Sequence, residues 1–292
     1  MLMIQKNIYF IEAPKKGRYP YCHCIYIDDR IRAIFDTACG KEQARALNAQ
    51  GVEVIVNTHY HYDHSRYNYL FPQAQIWIHT LDAPPLSSRE AYVEAYGFES
   101  EEEERRSQNF IPLVTYRPYK VDREFRDKEI LDFGQVKLQV IHTPGHSPGH
   151  CCFYLEKTGL LIAGDIDLSL FGPWYAHGNC NLEELISSIK ICMEIDPKLM
   201  LTSHTGIVRE QLQKRLQDFL QVLYIKEDML LEALRIPQTM EELVNKRIYS
   251  LKSHGLSEDI DDFHEKVGIK KHLEKLLREK RICYDEGSYF LC

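Results

Sequence analysis

From the N-terminus through Gly206, short β-rich apolar runs alternate with turn signals and amphipathic stretches. The pattern predicts strands at 7–11, 22–27 and 31–35, then a helix over 41–49. Val52-Glu53-Val54-Ile55-Val56 is β-branched and largely apolar, as a strand covered on both faces should be, and it runs directly into Asn57-Thr58-His59. Further strands are predicted at 75–79, 136–141, 151–155, 160–163 and 199–202, with a helix over 182–194 before the last. Strands and helices in this alternation specify an α/β protein.

Two segments depart from the pattern. Residues 83–127 are charged and Tyr-rich, include the run 99–106, and separate strands that a short loop could have joined; they are expected to form a helical insertion. After Gly206 the strand signals stop, and Leu212, Leu216, Phe219, Leu220 and Leu223 fall at helical spacing. Pro237 marks a boundary, after which 239–292 reads as three helices and two short strands, 281–284 and 288–291, around a Glu286-Gly287 turn. The expected organisation is therefore a catalytic unit over 1–210 and a helical linker and tail over 211–292.

Length and charge narrow the partners. At roughly 100 to 200 residues per domain, 292 residues make one large domain or one with a small appendage. Lys and Arg number 36 against 43 Asp and Glu, a net charge of -7 that suits a small-molecule substrate better than a phosphate backbone. No run reaches the roughly 18 apolar residues of a membrane span, and Met1-Leu2-Met3-Ile4-Gln5-Lys6 lacks the order of a signal peptide. A cytoplasmic protein is expected, compatible with a homo-oligomer. The nine Cys contain no C-x-x-C pair and read as buried free thiols.

The chemistry concentrates in Thr58-His59-Tyr60-His61-Tyr62-Asp63-His64, three imidazoles and a carboxylate at the end of a buried strand. In an extended turn His59 and His61 point the same way, so one cation could engage both, while Asp63 and His64 enter as the chain bends. Neutral imidazole and carboxylate suit Zn, and also Fe or Mn. His146 in a Pro/Gly-rich turn, Asp165 and His204 each follow a predicted strand, where α/β sheets place their chemistry. His150, which begins a strand, reads as a supporting or core residue; His79, His142, His254, His264 and His272 taken singly read as core or surface. Tyr175 and His177 are candidate pocket residues, the alternative being packing of their loop.

With these residues in place, the sequence resembles the metallo-β-lactamase superfamily, whose H-x-H-x-D-H signature stands here without gaps and whose later metal positions match His146, Asp165 and His204. The resemblance covers about the first 210 residues. It implies a four-layer αβ/βα sandwich with a dinuclear centre: His59, His61 and His146 at one metal, Asp63, His64 and His204 at the other, and Asp165 as the bridge. Asp165 stands where several antibiotic-hydrolysing members have Cys, so ordinary lactam hydrolysis is not expected. Thr58 is similar to the glyoxalase II pattern, and the C-terminal stretch resembles a winged-helix-like tail found in one branch.

A dinuclear site of this kind implies a hydrolase of a small ester-like acyl compound, thioesters ahead of lactones, with Asp63 and Asp165 as catalytic carboxylates. The alternatives carried by the same scaffold are an endoribonuclease and a single-iron persulfide dioxygenase. Lys266 to Arg281 contains seven basic and two acidic residues, within a tail of net charge -1. It is read as a solvated helix rather than an RNA-binding face.

Overall fold

Strands that are apolar at consecutive positions have two faces to cover, and each of the two large sheets of this protein is covered on both. The computed structural model describes residues 1–98, 115–250 and 258–292. The first sheet has seven strands in chain order: β1 (Leu2–Gln5), β2 (Ile8–Ile11), β3 (Cys24–Ile27), β4 (Ala33–Phe35), β5 (Val54–Val56), β6 (Gln75–His79) and β7 (Arg123–Phe125). Pairing is antiparallel from β1 to β4 and parallel from β4 to β7. The second sheet has six, in the order β13 (Gly206–Val208), β12 (Leu199–Thr202), β11 (Leu160–Ile162), β10 (Cys151–Leu155), β9 (Lys137–His142) and β8 (Ile130–Asp132), with β11 and β12 parallel.

Period-two alternation sorts the side chains into layers. Ile25 and Ile27, Phe35, Val54 and Val56 meet Leu138, Val140, Phe153, Ile162 and Leu201 between the sheets. Their neighbours Tyr26, Ile34 and Ile55 face outward onto helices α1 (Lys41–Ala49), α3 (Ala83–Ser87) and α4 (Arg89–Tyr96), α2 being the short turn Tyr62–Ser65. On the other sheet Cys152, Leu161 and Met200 face α5 (Leu182–Ile195) and α6 (Leu212–Ala233). The result is the expected four-layer αβ/βα sandwich followed by a C-terminal helical region.

That region consists of α7 (Met240–Asn245), α8 (Glu258–Arg278) and a hairpin of β14 (Ile282–Asp285) and β15 (Ser288–Leu291). Thr239 opens α7 with a reciprocal capping box to Glu242. Two described helices stand where the sequence suggested three; His254 lies outside the described residues.

Several expectations are corrected. The described part of the insertion is helical at its start, in α3 and α4, but Arg123–Phe125 near its end pairs with β6 at the sheet edge; residues 99–114 lie outside the described residues. The short β13 continues the strands past Gly206 through its pairing to β12. Seven Cys are buried free thiols as expected, but Cys283 and Cys292 form a disulfide across the hairpin. Most plainly, α8 is not a solvated helix. Ile269, Leu273 and Leu276 lie in the same core cluster as α5 and α6, and Lys275 is only 8% exposed. Among the described residues, no helix is long and apolar enough to cross a membrane.

Gly268 shows how closely α8 is set. A Cβ there would stand 2.2 Å from the Tyr249 ring. Helix propensity favours Ala over Gly by about 1 kcal/mol, but forcing a methyl into a filled space costs about 1–3 kcal/mol. Gly268→Ala is therefore expected to lower stability in denaturant titration; a gain would show that α8 is loosely seated.

Candidate metal centre

All the candidate ligands follow the carboxyl ends of strands at one rim of the sandwich. His59 follows β5, His146 follows β9, Asp165 follows β11 and His204 follows β12. Gly164 turns the chain after β11 with φ +51°, and a Cβ there would meet His150 Nε2 at 2.5 Å, so only glycine fits. His150 uses that nitrogen to accept the Asp165 N–H at 3.0 Å, which fixes the carboxylate's backbone. The sequence's reading of His150 as a supporting residue holds.

The rim brings the seven residues together. His59, His61 and His146 form one group with ligand atoms in mutual reach, and Asp63, His64 and His204 form another. Asp165 stands between them: Oδ2 is 3.3 Å from His146 Nε2, while Oδ1 is 3.1 Å from His64 Nε2 and 3.4 Å from His204 Nε2. Asp63 Oδ2 lies 3.5 Å from His204 Nε2. The open side is that of His204 and Asp63, whose side chains are 20% and 13% exposed.

Each imidazole has one nitrogen engaged from behind. Thr58 Oγ1 meets His59 Nδ1 at 3.0 Å, Asp36 Oδ2 meets His64 Nδ1 at 2.8 Å, and the Trp174 carbonyl accepts from His146 Nδ1 at 2.9 Å. His204 Nδ1 donates to the Gly17 carbonyl at 2.6 Å, and His61 Nε2 meets His177 Nδ1 at 2.9 Å. The opposite nitrogens are left for the centre, as in imidazoles that bind metals. His64 Nε2 and Asp165 Oδ1 are buried and have no hydrogen-bond partner among the described residues. Two lone pairs close together but not bonded to one another fit a shared cation.

Electrostatics points the same way. Burial, joined by the neighbouring imidazoles, holds His59 and His61 well below the ordinary histidine range, in the neutral form a metal requires. At His204 burial pushes down, yet Asp165 and Asp63 overcome it and raise the group to about 10. His64 is likewise raised against its burial, chiefly by Asp165. The protein atoms on this side therefore draw in positive charge, which the donor set of imidazole and carboxylate would accept as a divalent cation.

Two carboxylates were missed by sequence reading. Asp36 follows β4 just as the ligands follow their strands; it accepts the Thr58 N–H and hydroxyl as well as engaging His64. Asp82 had no signal. Fully buried, it accepts the Tyr60 N–H (3.1 Å), the Gly149 N–H (2.7 Å) and the Ser147 hydroxyl (2.6 Å), tying the His59–His61 turn to the His146 turn. Burial raises it to about 6 against those donors. In Asp82→Asn the amide's NH2 end cannot accept, so one donor loses its partner. Metal affinity is expected to fall about ten- to hundredfold, read by competition with a chromophoric chelator. Unaltered affinity would show that the two turns hold themselves.

The candidate pocket residues lie inside the protein. His177 is 6% exposed against His61; Tyr175 is fully buried, and its hydroxyl shares a 2.9 Å hydrogen bond with His272 Nε2. Tyr175 therefore packs its loop rather than lining a pocket.

Residues 18–204 match the sequence model of the metallo-beta-lactamase superfamily. The chain belongs to that superfamily. The architecture of this member is similar to that of a metallo-beta-lactamase family protein of Thermus thermophilus, with a TM-score of 0.78 over 99% of this chain and 100% of that one at 22% identity, a likeness of fold alone. Among curated relatives, an atrochrysone carboxyl ACP thioesterase of Aspergillus fumigatus is 22% identical over 59% of this chain and 42% of its own length. An acyl-coenzyme A thioesterase of Gallus gallus is 27% identical over 49% of this chain and 51% of its own. The chain spans about a third to a half of the length of the first such relatives, from 33% to 52%.

Proposed function

We propose that this superfamily member is a dinuclear metal-dependent hydrolase of small acyl thioesters. The observation that carries the reading is Asp165, whose two carboxylate oxygens face the two histidine groups separately. His59, His61 and His146 would hold one divalent ion and Asp63, His64 and His204 the other, with Asp165 shared; Zn, Fe and Mn all suit these donors. Such a pair supplies a water of lowered pKa and a Lewis acid for the acyl carbonyl.

The chain's own residues do the rest. Asp36, Thr58, His177 and the carbonyls of Gly17 and Trp174 set the tautomer and direction of each imidazole. Asp63, on the open side beside His204, would help orient the attacking water. The match over 18–204 supports a catalytic unit of 1–210 followed by the helical tail of 211–292.

Thioesters are preferred over lactones because two of the relatives are thioesterases by name. The RNA alternative is less favoured because several cations of its proposed contact face already have partners within the chain. Lys271 donates to the Gly178 carbonyl, Lys275 pairs with Glu227 and Glu279, Arg278 with Glu183, and Arg281 with Glu227. The test is metal analysis of protein purified without added metal, then assays on thioesters, lactones, phosphodiesters and RNA. About two divalent ions per chain and fastest turnover of thioesters are expected. One iron with persulfide oxidation, or metal-dependent RNA cleavage, would replace the reading.

A further inference from the structure

The strap of residues 174–178, between Asp165 and α5, touches the candidate centre twice from one side. Its Trp174 carbonyl accepts from His146 Nδ1, and its His177 Nδ1 meets His61 Nε2, both at 2.9 Å. These are two of the three imidazoles of a single group. The strap's other side is gripped by α8. Lys271 Nζ donates to the Gly178 carbonyl at 2.6 Å, the Tyr175 hydroxyl shares its hydrogen bond with His272, and the Trp174 ring stands edge-on to His264 at 4.8 Å.

The other group is held from elsewhere. His64 is engaged by Asp36 at the end of β4, and His204 by the Gly17 carbonyl. Asp36 also reaches His59 through Thr58, but the supports of His61 and His146 are separate from those of His64 and His204, and theirs reach the tail. We infer that α8 is a positioning element for the His59–His61–His146 half: through Lys271, His272 and Tyr175 it holds the strap, and the strap holds His61 and His146. The inference rests on the proposed metal centre only for its consequence, because the aim of two imidazoles can be measured without metal.

The grip is short and polar, so it can be loosened without emptying the core. Tyr175→Phe removes one hydroxyl and Lys271→Met one ammonium, while the apolar seat of α8 on α5 and α6 is untouched. In the full-length chain carrying both changes, stripped of metal, imidazole nitrogen–carbon NMR correlations should shift or broaden for His61 and His146 and stay in place for His64 and His204. On titration with Co(II), one of two binding steps should weaken about tenfold, the other by less than twofold. Asp36→Asn should affect His64, and His59 through Thr58, while sparing His61 and His146; Lys271→Arg in the Tyr175→Phe background should restore part of the loss, which a general loosening would not allow.

Unmoved His61 and His146 signals in the double variant, or equal disturbance of all four imidazoles, would overturn the inference. A wild-type chain that binds no Co(II) would overturn the metal reading instead, and the NMR comparison would still decide whether α8 positions the two imidazoles.

Discussion

Asp165→Asn is expected to lower thioester turnover at least about a hundredfold while leaving the fold intact. The substitution is nearly isosteric, and the Asp165 N–H keeps His150 Nε2 as its acceptor. What changes is the side chain between the groups. Although burial opposes it, His64, His204 and His146 hold the carboxylate well below its ordinary range, favouring the charged form. An amide brings no charge to offset two neighbouring cations, and its NH2 end would donate to an imidazole nitrogen needed for coordination. Stopped assays with parallel metal analysis should show activity falling further than metal content. Unchanged turnover with two ions bound would show that Asp165 does not bridge. His61→Ala and His204→Ala should each lower metal content, and full occupancy in both would remove the ligand assignment altogether.

The parts of the protein that were legible from sequence are those whose signal is local. Val54–Val56 running into H-x-H-x-D-H is a buried strand feeding a ligand turn, and both facts lie within eleven residues, from Val54 to His64. The core strands of both sheets were legible for the same reason. Edge strands were not: β7 is three residues long and is a strand only because Trp77 to His79 offers it a partner. Asp82 was invisible because it acts on turns 22 and 65 or more residues away, at Tyr60, Ser147 and Gly149. The basic run on α8 misled in the same way. Composition gives the charges but not their partners, and Glu183 and Glu227, on α5 and α6, take up Arg278, Lys275 and Arg281. A helix that looked solvated has a core-facing side, on which Lys275 pairs with buried Glu227, while Arg278 meets Glu183 at the surface.

That arrangement sets the largest expected stability effect, at Glu227. Its carboxylate, 6% exposed on α6, receives Lys275 Nζ and Arg281 Nη1 at 2.8 Å each, with His272 Nδ1 3.7 Å away. Burial alone would raise this acid, but nearby His272 and the hydrogen bond and charge of Lys275 bring it down to about 2. A depressed folded-state value stabilises above the unfolded value and is lost as pH falls through the folded one. The contribution, at most about 3 kcal/mol at one pKa unit per roughly 1.4 kcal/mol and less where solvent screens the half-exposed Arg281, is thus present above pH ~4.5 and disappears toward pH ~2. Glu227→Gln should cost about 3 kcal/mol at neutral pH, since Lys275 is left buried with Glu279 as its remaining acid. It should also flatten the acid limb of the stability curve, because the glutamine has no charge to lose. Denaturant titrations from pH 7 to 2.5 would show both; parallel acid limbs in the two proteins would mean that the pair adds nothing. Because α8 also grips the strap behind His61 and His146, the same variant should bind its metal more weakly well before it unfolds.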